Sequence, residues 1–259
     1  MSDHDSLIEA SLPEPPAPIH DDYGHSDGEW LKINWADNMR EVTVRSELGR
    51  TPVSYVEMGE GPPVLFVHGL GGSWRNWLEN IPRFAREHRV VALDLPGFGL
   101  SPAPPEPISI RAFGDLLVEF TKAVGLSDDT ALVGHSMGGF IATESVINSP
   151  GHFRNLTLIS AAGVTFATMR ESRKTIAGLA VRLMMPIAAS RMERNLGRSR
   201  LRTASFAGVI AHPSMIGREI LWELGCYAVN SPSLVEAAYA LAGYDTRERL
   251  AEITIPTLI

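Results

Sequence analysis

The 259-residue sequence predicts an α/β fold built on a mostly parallel sheet, and three observations carry that prediction. First, short apolar runs recur at 64–67, 90–93, 131–133, 156–159 and 253–259 without the alternation of half-buried strands. Runs of this kind fit strands covered on both faces. Second, stretches of helical character lie between them at 77–87, 110–124 and 137–148, the last stopped by Ser149-Pro150. Strand–helix alternation implies parallel pairing with right-handed crossovers. Third, about 90 residues separate the run ending near Ser160 from the one starting near Ile253. That interval is too long for one crossover helix and reads as a helical insertion over the sheet. Its breaks are expected near Pro186, Gly197, His212-Pro213 and Ser231-Pro232.

Ahead of these elements, residues 40–47 and 53–58 contain Val and partly alternate. The intervening Leu48-Gly49-Arg50-Thr51-Pro52 reads as the loop of a hairpin. Residues 1–28 hold seven acids, four prolines and no Lys or Arg, a composition that cannot bury enough apolar surface to fold. His4, His20 and His25 fall in this leader and read as solvated rather than metal-binding. The expected organisation is a disordered tail at 1–28, a core at 29–165, a helical insertion at 166–250 and the returning core at 251–259.

Charge and cysteine content narrow the function classes. The net charge of −7 belongs to the leader, because the rest carries 23 acids and 23 bases. No global field then favours nucleic acid. The single cysteine, Cys226, permits no intrachain disulfide and reads as a small buried residue. The N-terminus lacks an apolar signal segment and no run of 18 apolar residues occurs, so a cytoplasmic location and no membrane span are expected.

The chemistry begins at Gly134-His135-Ser136-Met137-Gly138, which matches G-x-S-x-G. The motif follows the apolar run 131–133 and opens a helix at Met137, the strand–turn–helix setting that gives it meaning. A sharp turn there lifts the Ser136 hydroxyl above the sheet. Side chains at Gly134 or Gly138 would clash with neighbouring elements, and the free N–H groups of the helix start favour developing negative charge.

A second motif, His68-Gly69-Leu70-Gly71-Gly72, follows the run 64–67. A tetrahedral oxyanion needs two preorganised donors, and the backbone N–H groups of Leu70 and Met137 are the expected pair. Gly69 and Gly71 let this loop fold close to Ser136, while His68 reads as a brace for the loop rather than a base. A third motif, Asp94-Leu95-Pro96-Gly97-Phe98-Gly99-Leu100-Ser101, makes a tight loop after the run 90–93, and Asp94 reads as its brace.

Together the three motifs resemble the α/β-hydrolase superfamily in its cap-bearing, esterase-like branch, over residues 38–165 and the run 253–259. The resemblance implies a serine nucleophile, then an acid, then a histidine in chain order. The acid is expected after the run 253–259 and the histidine one strand later. The alternative acid position after 156–159 reads Ala161-Ala162-Gly163, and all eight histidines precede residue 213. The sequence therefore reads as a C-terminally truncated chain that lacks the last strand, its helix, the acid and the base.

Relatives that open epoxides or carbon–halogen bonds carry aspartate at the elbow, so serine points to acyl chemistry. The expected activity is hydrolysis of a small-to-medium apolar carboxylic ester without metal or organic cofactor. C–C bond hydrolysis, perhydrolysis, and an inert ligand-binding protein of the same fold are the alternatives. Within the insertion, residues 165–202 hold nine bases and two acids, which admits weak contact with a membrane surface or an anion, although a solvated face is the plainer reading. Met184, Met185, Phe206 and Trp222 are candidates for an apolar acyl pocket, with core packing as the plainer reading, and Trp74 and Trp77 read as packing residues, with the pocket edge as the alternative.

Overall fold

The computed structural model describes residues 28–126, 128–161, 201, 206, 210, 212, 213 and 216–259. The leader to residue 27, Met184 and Met185, the breaks at Pro186 and Gly197, the basic stretch apart from Leu201, and the side chain of Cys226 lie outside the described residues.

Seven strands form one sheet: β1 Met39–Ser46, β2 Gly49–Met58, β3 Pro63–Val67, β4 Arg89–Leu93, β5 Ala131–His135, β6 Asn155–Ile159 and β7 Thr257–Leu258. Their spatial order is β1-β2-β4-β3-β5-β6-β7. The β1–β2 and β2–β4 pairs are antiparallel, and every pair from β4 to β7 is parallel. The helices are α1 Asn80–Phe84, α2 Ile110–Ala123, α3 Met137–Asn148, α4 Arg218–Asn230 and α5 Leu234–Ala242. No helix among the described residues is long and apolar enough to cross a membrane.

The unbroken apolar runs have the expected cause. Successive side chains of a strand point to opposite faces, so a strand covered on both faces is apolar throughout. In β3, Leu65 and Val67 join the core beneath α2 and α3, with Phe113, Leu117 and Ile141. Val64 and Phe66 join the opposite core with Trp74, Trp77 and Ile81. Each fully buried Leu or Phe in these layers contributes roughly 1.5–3 kcal/mol. The amphipathic α2 starts at Ser109, whose hydroxyl accepts the Ala112 N–H at 3.0 Å.

Three elements differ from the sequence expectation. The hairpin is tighter: Ser46 pairs with Gly49, leaving Glu47 and Leu48 in the turn. Leu48 is fully buried and anchors that turn, and Gly49 takes the positive φ of 83° that follows it. Pro52 sits where β2 has a partner on one side only, so its missing N–H is tolerated. The helix expected over 77–87 is two pieces, a 3-10 helix at Trp74–Trp77 and α1. A capping box between Ser73 and Asn76 starts the first piece early. Pro82 falls in the first turn of α1, where no intrahelical N–H is lost. The last run pairs only at Thr257–Leu258, beside Leu156 and Thr157. Pro256 precedes it and offers its carbonyl to the Leu156 N–H at 3.0 Å.

The stretch after α5 returns to α3 through one buried carboxylate. Glu144 has a fully buried side chain that accepts hydrogen bonds from the Tyr244 hydroxyl, Arg249 Nη1 at 2.7 Å and Asn148 Nδ2 at 3.0 Å. Burial works against its charge, but the donors from Tyr244, Arg249 and Asn148 outweigh that and hold its pKa below the ordinary glutamate value. Glu144→Ala is expected to lower the unfolding free energy by about 2 kcal/mol, because the Tyr244 hydroxyl loses its acceptor while Arg249 and the exposed Asn148 keep access to water. Since the folded pKa is depressed, the Glu144 contribution is present above the ordinary glutamate pKa and is lost as pH falls through the folded one. Urea unfolding midpoints of both proteins at neutral and acid pH check this, with the gap closing in acid.

Candidate active site

Ser136 occupies the turn between β5 and α3 with φ 52° and ψ −119°. A non-glycine residue at this conformation costs on the order of 1–3 kcal/mol and persists only where its surroundings enforce it. The enforcement is visible: the Ser136 N–H donates to the Ile159 carbonyl at 3.0 Å, and the Ser136 carbonyl accepts from Gly139 N–H at 3.0 Å. A Cβ at Gly138 would stand 2.5 Å from the His68 carbonyl oxygen, and one at Gly134 would stand 2.5 Å from that of Gly138. Only hydrogen at those positions lets β3, β5 and α3 approach so closely. The Ser136 side chain makes no capping hydrogen bond to α3, and no hydrogen bond among the described residues uses its hydroxyl.

The loop after β3 lies against this turn. A Cβ at Gly69 would stand 2.9 Å from Ser136 Cβ. Gly72 N–H closes the loop onto the Gly69 carbonyl at 3.0 Å. No hydrogen bond among the described residues uses the Leu70 or Met137 N–H.

His68 and Asp94 hold the two neighbouring loops. His68 Nε2 accepts the Leu95 N–H at 3.0 Å, which leaves Nδ1 to carry the proton and donate to the Gly69 carbonyl at 2.8 Å. Complete burial pushes the His68 pKa down to about 4, so the ring is neutral at pH 7. Asp94 accepts the Trp74 N–H at 2.7 Å and the Leu100 N–H at 2.8 Å, and its burial raises the carboxyl to about 6. Neither group touches Ser136. Ser101 completes the loop, donating to the Asp94 carbonyl at 2.7 Å and accepting the Ser54 N–H at 2.9 Å.

Helices α4 and α5 cover these loops. Ser233 N–H donates to the Gly97 carbonyl at 3.3 Å, and Ala228 and Leu234 lie against the Cα of Gly71. Arg75, in the 3-10 helix after the glycine loop, pairs through Nε with Glu223 of α4 at 2.9 Å. Its guanidinium also lies 4.5 Å from the Trp74 ring centre and 3.9 Å from that of Tyr227. Sequence reasoning passed over Arg75, Glu219 and Glu223, since nothing in their spacing links the two segments. Of the pocket candidates, Trp74 is buried against Trp35, whereas Phe206 and Trp222 pack with Leu221, Ile210 and Ile216 in a separate small cluster. Trp77 packs its ring edge-on to His135 at 6.4 Å.

No histidine among the described residues hydrogen-bonds Ser136. His68 is committed to its loop, His135 is largely buried beside Trp77, His152 contacts Thr121 at 2.6 Å, and His212 is exposed.

A strained serine between a parallel strand and a helix, faced by a glycine loop from the adjacent strand, defines the nucleophile-elbow class of α/β proteins. A family model described as alpha/beta hydrolase fold matches residues 62–205, more than half of the chain, and the chain belongs to that family. Over 122 residues it is 34% identical to the dihydrolipoyllysine-residue acetyltransferase component of the acetoin cleaving system of Pseudomonas putida, covering 46% of this chain and 33% of that protein. Over 118 residues it is 37% identical to the 2-hydroxymuconate semialdehyde hydrolase of Pseudomonas sp. strain CF600, covering 42% of this chain and 40% of that protein. The chain thus spans well under half the length of both. A thermophilic esterase from Thermogutta terrifontis shares the fold with TM-score 0.64 and 21% identity, covering 84% of this chain and 78% of that one.

The buried pair of loop braces makes opposed contributions on acidification. A neutral His68 with its pKa lowered to about 4 withholds a proton that the unfolded chain takes up below about 6.5, so stability falls with pH across that window. Asp94, raised to about 6, binds a proton that the unfolded chain releases until about 3.8, so stability rises as pH falls. Asp94→Asn is expected to cost about 1–3 kcal/mol at pH 7, because the amide nitrogen meets the Leu100 N–H donor to donor. It should also leave His68 unopposed, so the variant loses stability more steeply than wild type from pH 6 to 4. Denaturant titrations across that range test both expectations.

Proposed function

We propose that the chain carries the nucleophile of a serine hydrolase, with Ser136 attacking the carbonyl carbon of a small-to-medium apolar carboxylic ester. The observation that carries this reading is the positive-φ Ser136, held between β5 and α3 with its hydroxyl free. A strained nucleophile of this kind is retained where function requires it. In the proposed reaction the Ser136 oxygen adds to the carbonyl, and its proton has to pass to a general base, a role that no histidine among the described residues is placed to fill. The oxyanion takes hydrogen bonds from the Leu70 N–H of the loop after β3 and from the Met137 N–H at the N-terminus of α3. Collapse expels the alcohol and leaves an acyl-enzyme, which water then cleaves. Helices α4 and α5 serve as part of a cap over this site, and no metal or organic cofactor takes part.

A second reading is hydrolysis of a C–C bond beside a ketone at the same serine. It is favoured by the similarity to the 2-hydroxymuconate semialdehyde hydrolase. Both readings use Ser136 and the same two amides, and they differ in the group expelled.

Ser136→Ala is expected to reduce kcat on p-nitrophenyl esters by at least about a thousandfold and to abolish labelling by a fluorophosphonate. Its melting temperature should not fall, because the hydroxyl makes no hydrogen bond that supports α3. Ester turnover and labelling at the wild-type level in this variant would rule out the assignment. A ring-fission dienone consumed faster than any ester would select the second reading.

A further inference from the structure

The turn that carries the Leu70 N–H is held from two sides. Gly72 N–H closes it onto the Gly69 carbonyl at 3.0 Å, with Leu70 and Gly71 at its centre. Gly71 has φ 72°, the positive value that the third residue of a type II turn requires. On one side the turn runs straight into the 3-10 helix Trp74–Trp77, which is itself firmly tied. The Ser73 N–H donates to Asn76 Oδ1 at 3.0 Å, the Ser73 hydroxyl accepts the Arg75 N–H at 3.3 Å, and the Trp74 N–H donates to Asp94 at 2.7 Å. On the other side Gly71 is covered by the cap helices. A Cβ on Gly71 would stand 3.5 Å from Ala228 Cβ of α4 and 3.2 Å from Leu234 Cδ1 of α5.

Arg75 joins the two sides. It projects from the 3-10 helix and meets α4 twice, pairing through Nε with Glu223 at 2.9 Å and lying 3.9 Å from the Tyr227 ring centre. Glu223 and Tyr227 are four residues apart, so both reach the guanidinium from one face of α4. Ala228, which covers Gly71, is the residue after Tyr227. The Arg75 side chain is 6% exposed, so this contact is shielded from screening by salt. A planar guanidinium suits the place, since its edge serves the carboxylate while its plane serves the rings. Arg75 Nη1 is buried without a hydrogen-bond partner. That unpaired donor offsets part of the attraction, and lifting α4 would return it to water, so the contact holds the helix without locking it.

We propose that Arg75 is a positioning residue for the Ser136 reaction: through Glu223 and Tyr227 it seats α4 on the Gly69–Gly72 turn, and the seated helix keeps that turn in the shape that presents the Leu70 N–H. The effect on turnover rests on the proposed hydrolase reading, whereas the hold on the turn is measurable without substrate.

Hydrogen exchange reads the turn directly, because the Gly72 N–H is protected by the Gly69 carbonyl. In Glu223→Ala and in Arg75→Lys, which keeps the charge but loses the plane, exchange over residues 69–77 is expected to quicken at least about fivefold. Residues 110–123 of α2 should exchange as in wild type. With p-nitrophenyl acetate, an acyl group too short to need a cap for binding, kcat should fall at least about fivefold in both variants while KM stays within about twofold. Glu223→Gln, which keeps an acceptor, should fall between Glu223→Ala and wild type. Unchanged exchange over 69–77, or equal acceleration in α2, would overturn the assignment. So would a KM that rises with kcat intact, the result expected of a helix that only covers the site. If wild type cleaves no ester, the hydrolase reading fails, and exchange alone decides whether Arg75 holds the turn. If Arg75→Lys does not fold, Glu223→Ala decides it, since Glu223 lies at the rim of the contact with 22% of its side chain exposed.

Discussion

Close backbone approach at one turn constrains the rest of this structure. β5 must end, α3 must begin, and the end of β3 must pass within contact of both, so the residues at the crossing carry hydrogen where a side chain would stand. The price of that crossing is the positive φ of Ser136, offset by the Ile159 and Gly139 hydrogen bonds and by the layers on either side of the sheet. Because β3 and β5 are parallel neighbours, their C-terminal ends open on the same edge of the sheet. The glycine loop and the serine therefore meet without any long connection to position them.

Two buried ionisable groups then make the loops rigid without entering the chemistry. His68 spans from its own loop to Leu95, and Asp94 spans from the β4 loop to Trp74, so the loops after β3 and β4 are cross-braced in both directions. Burial drives each toward its neutral form, which lowers the cost of keeping them inside. A histidine and an aspartate close to a candidate nucleophile resemble catalytic partners until their hydrogen bonds are followed. Every ring nitrogen of His68, and both carboxylate oxygens of Asp94, already have a structural partner.

The covering helices are attached by polar contacts as well as by packing. Arg75–Glu223 ties α4 to the turn after the glycine loop, Ser233–Gly97 ties the start of α5 to the β4 loop, and Glu144 draws the stretch after α5 back to α3. A buried ion pair adds little net stability over an apolar pair, since desolvation offsets attraction. What such pairs supply here is position, because each joins segments far apart in the chain.

Much of this was legible in the sequence. Unbroken apolar runs determined the doubly covered strands, the switch from the run 131–133 to a helix at Met137 located the serine turn, and paired glycines marked the loop beside it. Those signals are local: a strand's period and a turn's need for glycine act within a few residues. The shortened hairpin loop, the divided helix around Pro82 and the brief β7 were decided by contacts of Leu48, Ser73–Asn76 and Pro256 that local pattern does not reveal. The same holds for the buried Trp74, Arg75 and Trp77. Nothing in their own segment marks them as buried, and only their packing against Trp35, Phe66 and α4 removes them from water, because burial is a property of the assembled chain.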